Sequence, residues 1–345
     1  MNKRYQATMA STHVDSHGDM ITREALEDLC VKINLGEKKI KMSVEHRRDF
    51  PPMGRLENAQ VVEKDGFHYL LVEMVSFPDP EQVTWNPKLM IQQFDDAFQF
   101  IEVDDSQLSK IEVAFDTINF TPREQAFSFA EKIKEQSPDP IEVNFLSRKS
   151  DIPDPEIVFR FLEFQALYQF SKPILKKLGE AVADKAAEVM VEKSFETMKH
   201  LFKVLRDSLR QMVPKNKPVS VIFDIPGKPH IELIAKTRYE GAIKKAFSKK
   251  RLDKVKSEIT DLLTEVPISK IQFIMNSDSK WKFNYLITEK GQVIGTKESF
   301  EQRTKVYNSV GNKNARAANK HLRGFNDSRK KDVKVIMGAK LSDEQ

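Results

Sequence analysis

Four residues with metal-ligand side chains stand close together near the start of the chain: His13, Asp15, His17 and Asp19. Imidazole and carboxylate groups converge on a divalent cation when a loop folds back on itself. The same stretch also spells a polar turn, Asp15-Ser16-His17-Gly18-Asp19, in which Gly18 can take the positive φ that a reversal needs. A second set has the types for acyl transfer. A serine hydroxyl attacks a carbonyl only with a base in hydrogen-bond reach, commonly a histidine, and with a third group to orient that base. His46, Ser109, Glu112 and Glu142 are the residues of these types on which the reading turns. His68 alternates with Phe67 and Tyr69 in an extended run and reads as a surface or rim residue, while His200, His230 and His321 have no ligand-type partner at a recognisable spacing. The lone Cys30 sits in an apolar-periodic helix and reads as a buried core residue. Neither a phosphate-loop motif nor a dinucleotide fingerprint occurs, and no cofactor is expected.

These residues need elements to hold them. Residues 5–14 predict a strand, and Thr22 predicts the N-cap of a helix running to about Asn34. Lys39–Glu45 predicts a short strand, and two β-runs from Leu56 to Val75 flank the hairpin signal Lys64-Asp65-Gly66. Residues 86–98 and 122–136 read as helical, and Lys110–Phe120 and Ile141–Leu146 as strands. Ser147–Pro155, with its serine, aspartates and prolines, reads as a linker. A long helical tract is expected over 156–212, interrupted near Pro173. Beyond it, Val219–Phe223 and His230–Ala235 flank Pro226-Gly227-Lys228-Pro229 as a second hairpin. A basic helix at about 240–264 and strands at 271–275, 281–287 and 292–296 follow.

The order of motifs in the first part resembles the prohead-protease domain of tailed phages. That family opens with a strand, an Asp-x-x-Gly-Asp turn and a helix, as in Ala10–Ile21 followed by Ala25-Leu26. It continues with a histidine and a Gly-Arg strand start, as in Val44-Glu45-His46-Arg47-Arg48 and Met53-Gly54-Arg55-Leu56, and then an extended segment, as in Phe67–Glu73. The family's Leu-Ser-Ile-Gly-Phe strand matches Lys110–Phe115, with Phe115 on its Phe and Ala114 on its Gly. A later Glu-Val-Ser-Leu-Val strand matches Ile141–Phe145. The resemblance covers residues 5 to about 155. It accounts for the acidic turn at 15–19 without a metal, so no metal is expected. It implies a β-barrel shared with the herpesvirus assemblins, and Ser/His peptidases that cut scaffold protein during capsid maturation.

Residue by residue, the resemblance puts His46 on the family's histidine, Glu142 on its acidic position and Glu112 on its nucleophilic serine. A carboxylate there can pair with an imidazole but attacks nothing. Ser109 lies three residues before Glu112, an odd offset that points to the opposite face of a strand unless a bulge shifts the register.

Composition bounds the rest. Forty per cent hydrophobic and 31% charged residues over 345 positions suit about two globular domains. No run of about 18 apolar residues predicts a membrane span, and the polar N-terminus and single cysteine point to a cytoplasmic protein. Residues 1–150 hold 18 Lys/Arg against 26 Asp/Glu and residues 151–345 hold 38 against 25, so the two parts carry −8 and +13 of the chain's +5. The basic end includes Arg303, Lys305, Lys313, Arg316, Lys320, Arg323, Arg329, Lys330, Lys331 and Lys334, and such a tail can lie along phosphates.

The expected fold class is α+β. A prohead-protease-like antiparallel β-barrel with flanking helices occupies 1–150, a helical connector 151–215, and an α/β domain with a basic tail 216–345. The expected function is a prohead-protease-like protein that does not cut peptides, whose enzyme status stays open. It would bind a phage capsid or scaffold protein in morphogenesis or phage–host conflict, with no membrane. One alternative is an active serine endopeptidase using Ser109 and His46. The other is nucleic-acid binding through residues 303–340.

Overall fold

The computed structural model describes residues 3–14, 20–36, 38–101, 111–116, 124–137, 141–146, 156–161, 219–237, 240–246, 248–309 and 334–338. The chain divides into two compact units. The first joins residues 1–101 to 289–345, and the second is continuous over 102–288. Both combine helices with sheet, so the class is α+β.

The first unit is built on β1 (Arg4–Ser11), β2 (Lys38–Met42), β3 (Gly54–Lys64) and β4 (Phe67–Ser76). Short strands β5 (Glu81–Gln82), β6 (Leu89–Gln92) and β7 (Gln99–Phe100) follow. The main sheet runs β1-β4-β3-β2-β7, with β2 parallel to β7 and the other neighbours antiparallel. The Asp-Gly turn between β3 and β4 has both central residues at positive φ, Asp65 at 53° and Gly66 at 78°, the turn whose twist matches a hairpin. Helix α1 (Arg23–Leu35) starts where Thr22 Oγ1 accepts from Ala25 N at 3.3 Å. Its buried Leu26, Cys30 and Ile33 keep one face on Leu56, Ala59, Val61, Leu70 and Val72 of the sheet. A bulge in β3 at Asn58 is held by Asn34 of α1, whose amide donates to Ala59 O and whose Oδ1 accepts from Ala59 N, both at 2.8 Å. Gly54 cannot carry a side chain, because a Cβ there would lie 1.9 Å from Val75 O.

The second unit holds β8 (Ile111–Asp116), α2 (Gln125–Gln136), β9 (Glu142–Leu146), β10 (Glu156–Phe161), β11 (Val219–Ile225) and β12 (His230–Thr237). Helices α3 (Glu240–Ala246) and α4 (Lys249–Glu265) come next, then β13 (Ile268–Met275) and β14 (Trp281–Thr288). Its strands lie in the order β9-β8-β10-β11-β12-β13-β14. Three neighbouring pairs are parallel, β8–β9, β10–β11 and β12–β13; helix α2 bridges the first, and α3 and α4 bridge the last. Parallel neighbours need such crossovers, whereas the antiparallel β11–β12 pair closes through the short turn at 226–229.

Several expectations need correction. No closed barrel occurs among the described residues; the first unit's main sheet is an open path. The boundaries expected at 150 and 215 do not match the units. Strands β8 and β9 are bound to β10 and its neighbours rather than to β1–β4. At the other end, β15 (Val293–Thr296) pairs with β6, residues 297–309 form a helix, and β16 (Lys334–Gly338) pairs with β3, so the end of the chain belongs to the first unit. Residues 86–98 hold β6 and turns instead of a helix. Asn86 Oδ1 accepts from Lys88 N, and the run Leu89-Met90-Ile91 is too short for periodicity to separate helix from strand. Residues 156–161 are a strand where a helix was expected; the rest of the expected tract, 162–218, and the expected linker at 147–155 lie outside the described residues.

Candidate functional site

His46 ends a short 3-10 turn, Val44–His46, in the first unit. Its φ is 55°, and its ring is exposed. The turn closes when Arg47 N donates to Val44 O at 2.8 Å. Arg47 then pairs with Asp49 and lies over the Phe50 ring, 4.5 Å from its centroid. Nearby, Arg55 is buried between Phe94 and Phe98, 4.5 Å from each centroid, and is paired with Glu57 at 2.6 Å and Asp96 at 2.9 Å. Burial raises the Asp96 pKa, but the hydrogen bond and charge of Arg55 outweigh it and hold the carboxyl below its ordinary value. His13, from the four-residue set near the start, stacks on Phe67 at 3.7 Å and meets Ser11 Oγ through Nδ1 at 3.3 Å; residues 15–19 lie outside the described residues.

The other expected site residues belong to the second unit. Glu112 is buried near the start of β8. It stands in register with Glu142 on β9 and with Arg160 on β10. Glu142 is exposed and accepts from Asn144 Nδ2 at 3.3 Å. His46 and the two glutamates thus lie in different units, and neither unit by itself assembles the expected histidine–acid arrangement. Ser109 lies outside the described residues.

The register that carries Glu112 continues across the sheet. Arg160 is the partner of Asp224, Asp224 of Glu232, Glu232 of Gln272, and Gln272 of Tyr285. Directly paired residues share a face. One cross-strand row therefore reads Glu142, Glu112, Arg160, Asp224, Glu232, Gln272, Tyr285. Glu112, Asp224, Glu232, Gln272 and Tyr285 are all buried. His230 and Lys270 form the next paired position, two residues along, and share that face. His230 Nε2 meets Asp224 Oδ1, and Lys270 Nζ lies 3.2 Å from Glu232 Oε2. The Gln272 amide donates to Glu232 Oε2 and to the Tyr285 hydroxyl, and its Oε1 accepts from Asn284 Nδ2 at 2.7 Å. Two residues the other way along the strands, Ala114, Val158, Ile222 and Ile234 make an apolar row with Ile274 packed against it. A charged row and an apolar row thus run side by side on one sheet face.

Buried charges persist where partners compensate their lost hydration. Here Asp224 meets His230, and Glu232 meets Lys270 and the Gln272 amide, so acids of the row are compensated from the adjoining position and from the next strand. Among the described residues, no three His, Cys, Asp or Glu side chains are grouped to hold a metal ion. Reading histidines by ligand spacing missed His230, because its partner Asp224 comes from the neighbouring strand. The available signal was a single charged or amide residue inside each strongly apolar run: Asp224 in Val219–Ile225, Glu232 in Ile231–Ala235 and Gln272 in Ile271–Met275.

The basic end also changes meaning at Arg303. It is buried, lies 5.0 Å from the Phe300 ring centroid and donates to Pro52 O at 2.6 Å, and burial pushes its pKa down to about 10. It is not available to lie along phosphates. Lys305 is exposed; residues 310–333 lie outside the described residues. Among the described residues no helix is long and apolar enough to cross a membrane.

The chain matches no protein-family model, no curated protein and no solved structure.

Proposed function

We propose that this protein works by binding another protein and not by cutting it: a prohead-protease-like assembly module for a capsid or scaffold protein, in phage morphogenesis or phage–host conflict. The observation that supports this is the environment of Glu112. At the position where the resembling family carries its nucleophile, a carboxylate is buried in the sheet of the second unit, on the face that carries the Asp224–His230 and Glu232–Lys270 pairs, while the matching histidine belongs to the first. A buried carboxylate offers no hydroxyl to a carbonyl, and acyl transfer needs a nucleophile with a base at hydrogen-bond distance.

The test is labelling of the full chain with a fluorophosphonate probe, with His46→Ala and Ser109→Ala alongside, together with a binding measurement on purified capsid or scaffold protein. The expected result is no His46-dependent labelling and a stoichiometric complex that stays uncleaved. A serine labelled in the wild type and silent in His46→Ala would return the protein to the serine endopeptidases.

A further inference from the structure

In the second unit an aromatic series leads from the core to the surface. Phe129 and Phe115 are buried and lie 5.0 Å apart between ring centroids. Phe115 meets Phe145 of β9 edge-on at 5.5 Å, and Phe145 meets Phe127 of α2 at 4.9 Å. The last two are solvent-facing: Phe145 is 39% exposed and Phe127 59%. An exposed phenylalanine pair anchored on a core ring is already ordered, so covering it costs little side-chain entropy, and aromatic groups of this kind dominate binding energy at interfaces.

The charge around the pair selects what covers it. Glu124 and Glu131 flank Phe127 at three and four residues and so share its side of α2. All three residues are exposed, and Lys134 on the same side is occupied by Glu131 at 2.9 Å. An apolar centre with acidic surroundings repels phosphate backbones and suits cationic side chains, which also favour the faces of aromatic rings.

We propose that Phe127 and Phe145, with Glu124 and Glu131, form a docking surface for a basic polypeptide segment that carries aliphatic residues between its lysines and arginines. This rests on the protein-binding reading above and names the chemistry of the partner.

The probe is a short fluorescein-labelled synthetic peptide alternating leucine with lysine and arginine, titrated by fluorescence anisotropy into the full-length protein. A counterpart with glutamate in place of the cations serves as control. The cationic peptide binds, the anionic one does not, and added salt weakens binding. Phe127→Ser with Phe145→Thr weakens it about tenfold or more, as removal of two central aromatic contacts does. Phe67→Ser, at a phenylalanine of the first unit that is 40% exposed, leaves it unchanged. Glu124→Lys keeps the apolar pair and weakens binding about threefold through charge alone, which carries the test if the double variant fails to fold. No binding of the cationic peptide, or equal binding to wild type, the double variant and Glu124→Lys, overturns the proposal. A capsid or scaffold protein that binds wild type and the folded double variant equally overturns this surface while leaving the protein-binding reading intact. His46-dependent fluorophosphonate labelling would overturn that reading instead.

Discussion

The two units bury charge in opposite ways. In the first, Arg55 and Arg303 are single cations, each set against aromatic rings and tying down one local stretch: Arg55 holds Glu57 and Asp96, and Arg303 holds the Pro52 carbonyl. In the second, acid, base and amide groups share a row that crosses the strands, and several groups serve two neighbours, as Glu232 does for Lys270 and Gln272. A clamp of the first kind can be removed with local loss. A member of the second kind cannot be removed without stranding another, because the cost of an unpaired buried charge exceeds the net worth of the pair.

The sharpest way to break this contrast is Glu232→Ala. It removes the carboxylate that meets buried Lys270 and accepts from the Gln272 amide, and should destabilise the second unit by about 3–5 kcal/mol in urea unfolding. Glu232→Leu with Lys270→Met, which removes both charges, should recover most of that loss. If the single and double variants are equally unstable, the groups are not coupled. In the first unit Gly54→Ala comes next. The added Cβ meets Val75 O, and the backbone must shift between β3 and β4, at a cost of about 3 kcal/mol in the same measurement. Asn34→Ala then sharpens the picture of local clamps. It leaves Ala59 N and O at the bulge without their amide partner and should cost about 1–3 kcal/mol.

The smallest effect is a pH dependence. Because the folded pKa of Asp96 is depressed, the stability it contributes is present above the unfolded carboxylate pKa and is lost as pH falls through the folded value. Wild type should therefore lose stability on acidification faster than Asp96→Asn. Parallel pH profiles for the two proteins would show that the Arg55–Asp96 pair contributes nothing.

Local features were largely legible in the sequence and cross-strand features were not. Thr22 caps α1, Asp65-Gly66 turns β3 into β4, and Cys30 is buried, because each depends on residues within one turn or one period. The basic helix and the strands after it were legible on the same grounds, although α4 starts afresh after an extended Ser248. The unit boundaries were hidden because charge and linker composition changed near 150, while strand pairing joined β8 to β10 across that point. The row from Glu142 to Tyr285 was hidden for a similar reason. It is assembled by register, and a shift of one residue in any strand would have turned that strand's member to the other face. Within the motif-matched segment, His46 and Glu112 lie in consecutive parts of the sequence but in separate units.

The layout of the first unit has a consequence for its biosynthesis. Its N-terminal part ends at Ile101, and its remaining part begins at Glu289. The strand that pairs with the end of β3, and the arginine that reaches Pro52, are both on that late part. At a translation rate of about 5–20 residues per second, the ribosome needs roughly 10–50 s to deliver them after residue 101. During that interval the continuous second unit can close on its own, while β3 waits with part of its edge unpaired. An unpaired edge is a template for other chains, so the nascent first unit is the part of this protein for which a chaperone has most use.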